Sequence, residues 1–294
     1  MKNLIAPVLV LAATLVCGCA TTRNEPHPST AKVASSGAAA NDNLNAVAWS
    51  QTAIEHDLIL REVYRIAGEK LLVALKDRQW DALPREERKG SSRRLKPAVI
   101  LDIDETVLDN SPYQARLVDG GGEYNEFTWS EWCREKAAKP LPGALEFTQL
   151  AARNGVSVFY LSNRAQDLND VTLENLRSEG FPVGSSEQMF LGLGTVVAGC
   201  EQNGTEKGCR RQLVGRKHRV LLQIGDQLGD FVDVLANTPA GRRAAIAPYE
   251  AWLGTRWFVL PNPTYGSWEP ALFNNEWAKT AAERRQAKLE GLRK

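Results

Sequence analysis

"VILDIDETVLDNSPYQ", residues 99–114, starts as an apolar run and then places Asp102, Asp104, Glu105 and Asp109 in quick succession. A buried strand does not end in carboxylates unless something offsets their charge, because an unpaired buried ion is strongly destabilising. Asp102 and Asp104 flank Ile103, so they share one face if the strand continues through them. Ala98–Ile103, bounded by Pro97 and the acidic cluster, therefore reads as a central strand.

The pattern recurs along the chain. "GVSVFYLSNR" (155–164) is a second buried strand ending in polar residues, and a helix over 167–179 follows, stopped by Gly180. "RVLLQIGDQLGDF" (219–231) is an apolar strand, then Asp226, then a helix carrying Asp230; "RWFVLPNPTYGSWE" (256–269) repeats the form. "PLPG" (140–143) opens another helix that runs to about Asn154, with Pro142 near its first turn. Strands alternating with helices predict an α/β fold, a doubly wound parallel sheet. In such sheets ligands bind beyond the carboxyl ends of the strands, so Asp102/Asp104, Ser162/Asn163 and Asp226/Asp230 should converge.

Carboxylates brought together raise one another's pKa unless a cation sits between them, and a hard oxygen-binding ion such as Mg²⁺ suits that donor set. His27, His56 and His218 show no metal-ligand spacing, which argues against zinc. The chain has 294 residues and a net charge of +1 with no long basic block, which argues against a nucleic-acid partner but not against a small anionic substrate.

Around this core, residues 46–80 predict a helix in which Ile54, Leu58, Val63, Ala67, Leu71 and Leu75 form the apolar face and Gly68 is the only breaker. Residues 81–96 read as a polar connection, the stretch with "DGGGEYNEFTWSEWC" (119–133) as irregular, and 271–294 as a terminal helix. The segment 110–140 and the first helix are the expected small cap over the site. At the front, Lys2 and the apolar Leu4–Val16 form a targeting segment too short to span a membrane comfortably. "LVCGCA" (15–20) resembles a bacterial lipobox with Cys19 as the lipidated residue; an ordinary cleaved signal peptide is the alternative. The expected organisation is a signal peptide over 1–18, a flexible tether over 19–45 and one domain over 46–294. Within that domain, 46–96 is helical, 97–270 is the core and 271–294 the last helix. Cys200 and Cys209 could close a small disulfide or remain thiols, and Cys133 would be left without a partner.

"DIDETVLDNS", "YLSNR", a downstream lysine and "GDQLGDF" together resemble the four motifs of the haloacid dehalogenase (HAD) superfamily. "WSEW", "PLPGALEF" and "LPNPTYGSWE" narrow the resemblance to its class C acid phosphatase branch, of the lipoprotein e 5′-nucleotidase type. It covers about residues 46 to 275. The resemblance implies a Mg²⁺-dependent phosphomonoesterase, acid-active, with Asp102 as nucleophile and Asp104 as general acid and base. It implies Mg²⁺ held by Asp102, Asp104 and Asp226, with Asp230 ligating or orienting them, and Ser162 and Lys207 on the phosphate. The lysine alignment could slip to Arg210 or Arg211.

For substrate, the resemblance implies contacts from Asn163 and Arg210 and a nucleobase held between Tyr265 and an aromatic such as Trp129; Trp132 and Trp268 are read as packing. Glu105 is a helper or surface residue, and Asp109 and Asn110 shape the loop leaving the strand. The implied setting is the cell envelope, with the lipid in the outer membrane and nucleotides as substrates; a homo-oligomer is compatible with it. Two other functions fit less of the sequence. A non-catalytic haem-binding lipoprotein lacks C-x-x-C-H, and a phosphotransferase would use the same aspartyl-phosphate with another acceptor.

Overall fold

The computed structural model describes residues 41–184, 189–202 and 204–294. The expected signal peptide, Cys19 and most of the tether lie outside the described residues. Two helices open the fold, α1 (Leu44–Thr52) and α2 (Ile54–Lys76). The predicted single helix is broken at Ala53, whose backbone is extended (φ −79°, ψ 122°), and not at Gly68. Gly68 lies inside α2 on its buried face, where a Cβ would stand 3.1 Å from the Leu150 side chain.

That close approach sets the phase of α2. Its buried stripe is Leu60, Tyr64, Ala67, Leu71 and Ala74; of the expected face, Ala67 and Leu71 are buried and Val63 and Leu75 pack against the core, while Ile54 (62% exposed) and Leu58 (57%) face outward. The small residues Ala67, Gly68 and Ala74 on the buried stripe allow the near helix–helix approach.

The strand β1 (Lys96–Leu101) follows, then a two-residue strand β2 (Leu108–Asp109). The stretch expected to be irregular instead contains two helices, α3 (Ser111–Asp119) and α4 (Glu126–Glu135). Their starts are set locally: Pro112 sits in the first turn of α3, and Asn125 caps α4 by accepting from Thr128 N at 2.9 Å. β3 (Lys139–Pro140) returns antiparallel to β2, so α3 and α4 form an excursion closed at its base by a ribbon. Next come α5 (Ala144–Arg153), β4 (Ser157–Leu161) and α6 (Asn169–Ser178). They are followed by β5 (Phe190–Leu191), α7 (Gly208–Lys217) and β6 (His218–Gly225). The helix expected to carry Asp230 is a single 3₁₀ turn, Leu228–Asp230. The chain ends with α8 (Pro239–Ile246), β7 (Trp257–Val259) and α9 (Ala281–Glu290). The terminal helix is shorter than expected because Asn274 and Asn275 adopt left-handed backbone (φ 55° and 62°), and a Thr280/Glu283 capping box starts α9 beyond them.

Five strands form one parallel sheet in the order β5-β4-β1-β6-β7. Successive β1 side chains enter different cores. Val99 and Leu101 pack with Leu60, Tyr64 and Phe147, and Ala98 and Ile100 with Phe159, Val214 and Trp257. Each large apolar side chain so buried contributes roughly 1.5–3 kcal/mol. β4 and β6 flank β1, with Leu101 level with Tyr160 on one side and Ile224 on the other. The next residues along these three strands therefore emerge together at one end of the sheet.

Candidate active site

Asp102 is the first residue past β1, held to the sheet by its N–H donating to Ile224 O at 3.0 Å. Its buried carboxylate meets the ammonium of Lys207, which also donates to Asp230 Oδ1 (2.7 Å) and Leu161 O (2.8 Å). All three ammonium protons are thereby directed. Burial pushes the Asp102 carboxyl well above the usual range against the pull of Lys207, and Asp230, Asp226 and Asp104 add to the rise. Burial works against the charge on Lys207 as well, but Asp102 and Asp230 outweigh it and hold its pKa above the ordinary value.

Asp226 leaves β6 beside them. Its Oδ2 accepts from Gln227 Nε2 (2.7 Å) and Asn262 Nδ2 (2.8 Å). Burial, then the neighbouring Asp230, push it up to about 7 despite those amides. Asp230 is fixed by Gln227 N, which donates to its Oδ2 at 2.8 Å. Oxygens of Asp102, Asp226 and Asp230 lie within 4.8 Å of one another. Three carboxylates facing one ammonium leave excess negative charge among hard oxygen donors, and a divalent cation fits that donor set.

The Asp104 carboxylate stands apart from this cluster. Its Oδ1 accepts from Arg164 Nε (3.0 Å), Arg164 Nη2 (2.8 Å) and Asn110 Nδ2 (3.0 Å), and its Oδ2 accepts from Ser162 Oγ (3.1 Å). With its carboxylate turned toward Arg164 and outside the cluster, Asp104 would contact a metal through its backbone carbonyl. Ser162, fully buried, accepts from Arg164 N at 3.0 Å while donating to Asp104.

The expected substrate residues are placed differently. Arg210 is buried, its guanidinium donating to Ser162 O (2.6 Å) and Asn163 Oδ1 (2.6 Å), so it braces the strand end instead of facing the crevice. Burial lowers its pKa to about 10. Arg211 is tied to Glu87 and Asp233, which leaves the lysine position to Lys207. Asn163 is exposed apart from that contact. Trp129 is a packing residue, 8% exposed, edge-on to Tyr113 with ring centroids 5.2 Å apart and with the Arg164 guanidinium 5.5 Å from its ring. Tyr265 is half-buried on the loop after β7, where its carbonyl accepts from Gln227 Nε2 at 3.3 Å.

Glu105 is not a surface group. Its Oε1 accepts from Asn110 N at 2.7 Å, its Oε2 is buried without a partner, and burial raises its pKa well above the usual range. Asn110 does shape the loop, and it also binds Asp104 and accepts from Trp132 Nε1 at 2.8 Å. Cys200 and Cys209 form a disulfide, and Cys133 is free and buried. Sequence reasoning missed Arg164, Gln227 and Asn262; each lies inside or beside a quoted motif, but only the fold shows which carboxylate it holds.

Residues 16–268 match the family described as HAD superfamily, subfamily IIIB (acid phosphatase). The chain belongs to that family. The class C acid phosphatase from Bacillus anthracis superposes with a TM-score of 0.73 at 33% identity, over 86% of this chain and 97% of that one. The same enzyme with tungstate bound matches at 32% identity, with a TM-score of 0.73 and coverage of 86% and 97%. The Stem 31 kDa glycoprotein of Glycine max is 30% identical over 166 residues, 56% of this chain. The chain spans only 58% of that curated relative's length.

Proposed function

We propose that this HAD-family chain is a Mg²⁺-dependent phosphomonoesterase acting through an aspartyl-phosphate, with nucleoside monophosphates among its substrates. The observation that carries the proposal is the placement of Asp102 at the end of the central strand, bonded to Lys207 and beside the Asp226/Asp230 carboxylates. Asp102 would attack phosphorus as the bond to the ester oxygen breaks, and Lys207 offsets charge on both the nucleophile and the phosphoryl group. Asp104 delivers a proton to the departing oxygen, then accepts one from the water that cleaves the aspartyl-phosphate. Asp102, Asp226 and Asp230 would hold the cation, which supplies positive charge toward the phosphate oxygens when bound. Tungstate in the Bacillus anthracis relative, a tetrahedral oxyanion like phosphate, supports an anion-accepting site in this family. Export and lipid attachment at Cys19, in the outer membrane, complete the proposal.

The test is phosphate release from a panel of nucleotides by the chelated protein, with and without added Mg²⁺, beside Asp102→Asn. Release should require Mg²⁺ and fall to background in the variant. Full activity in Asp102→Asn, or indifference to Mg²⁺, would overturn the mechanism.

A further inference from the structure

Arg164 touches none of the cluster formed by Asp102, Asp226 and Asp230, yet it is among the largest fully buried side chains of the described residues. A buried guanidinium must be fully engaged to be tolerated. Nε and Nη2 both go to one oxygen of Asp104, Nη1 donates to Thr172 Oγ1 at 3.2 Å, and Nη2 also reaches Asn110 Oδ1 at 3.4 Å. The flat group lies over the Trp129 ring, so it is held by the α3–α4 excursion as well as by the segment that leaves β4. Its backbone acts on the same carboxylate from the other side. Arg164 N occupies an acceptor position on Ser162 Oγ, which directs that hydroxyl's proton to Asp104 Oδ2.

The two oxygens of Asp104 are therefore unequal. Oδ1 carries three donors, two from Arg164 and one from Asn110, and has no room for a transferable proton. Oδ2 carries only the rotatable Ser162 hydroxyl. We propose that Arg164 is the positioning residue of the general acid: it fixes Asp104 so that Oδ2 alone exchanges protons with the leaving oxygen and the attacking water. The proposal rests on Asp104 being that acid. In the first half-reaction the Asp102–phosphorus bond forms, the phosphorus–ester bond breaks, and the proton on Oδ2 passes to the released alcohol. In the second, water loses a proton to Oδ2, its oxygen bonds phosphorus, and the Asp102–phosphorus bond breaks to release phosphate.

The test uses kcat/KM, which reports the steps through aspartyl-phosphate formation and so isolates leaving-group protonation. An aryl phosphate with a stable phenolate leaving group and an alkyl phosphate, whose alkoxide needs the proton, are compared in the wild type, Asp104→Asn, Arg164→Gln and Arg164→Lys. Both Arg164 variants should lose the alkyl ester by about 10²-fold or more while losing the aryl ester by about tenfold or less, the same discrimination as Asp104→Asn. Lysine should not rescue, because a point charge cannot grip Oδ1 with two N–H groups. Equal losses on both esters in Arg164 variants, beside a discriminating Asp104→Asn, would overturn the positioning role alone. A non-discriminating Asp104→Asn would overturn the acid assignment, and the positioning role with it. If neither Arg164 variant retains the wild-type circular dichroism spectrum, the residue belongs to the core and the proposal falls.

Discussion

At the scale of single residues, the site is a problem of charge distribution. Asp102 and Asp230 share one ammonium, and Asp226 beside them is pushed up to about 7, largely by burial. Between about pH 4 and about pH 7 the folded protein therefore keeps a proton that the unfolded chain has lost. The unfolded state binds fewer protons in that window, so stability falls as pH rises through it. Asp102 and Glu105, both raised, act in the same direction. Chelated protein should show a melting temperature that declines across the window, and added Mg²⁺ should restore more stability near pH 7 than near pH 5 because it competes with the proton. A flat profile without metal, or equal stabilisation at both pH values, would show that these carboxylates are not coupled as described.

At the scale of elements, the position of Lys207 depends on the start of α7. The disulfide joins Cys200 to Cys209, nine residues apart, and Lys207 lies inside the loop that it closes. Chain-entropy arguments give a loop of that size about 2–3 kcal/mol. Replacing both cysteines with serine should lower the unfolding free energy in urea by that order and reduce phosphate release, since the loop that presents Lys207 gains freedom. Unchanged stability and turnover would show that α7 needs no staple. The elements themselves were unevenly legible. Apolar runs revealed β1, β4 and β6, because a strand covered on both faces reads as continuous hydrophobicity. The face of α2 was legible from Val63 onward but not in its first turns, where Ile54 and Leu58 are exposed and Leu60 and Tyr64 face the core instead. The helices α3 and α4 were hidden by glycines and polar residues that resemble a loop, although Pro112 and Asn125 mark their first turns.

At the scale of the whole molecule, the N-terminal helices are part of the core and not an accessory. Tyr64 on α2 donates to Thr106 O at 2.6 Å, just beyond Asp104, and Trp80 Nε1 donates to Leu221 O at 2.8 Å. Buried Arg219 donates to the carbonyls of Ala74 (3.0 Å) and Trp80 (3.4 Å) at the end of α2 and just after it, and Gln223 Nε2 donates to Ala82 O at 2.7 Å. A chain beginning at Lys96 would expose one face of β1 and leave these groups unpartnered. It should fail to give a soluble, cooperatively melting protein, whereas a chain beginning at Asn41 should melt like the full chain. A folded, active protein starting at Lys96 would overturn that view of the helices.

The sequence by itself determined the fold class and the strand ends that bear Asp102, Ser162 and Asp226, because these follow from patterns of burial and charge within short stretches; for the lysine, family resemblance left Lys207 beside Arg210 and Arg211 until the fold tied both arginines elsewhere. Tertiary structure alone decided which acid meets which cation. Asp104 pairs with Arg164 and Asp102 with Lys207, over separations of 60 and 105 residues. It also turned Arg210 and Trp129 from expected substrate contacts into internal braces. A side chain's partner at such range is set by sheet order and strand register, and no local pattern encodes either.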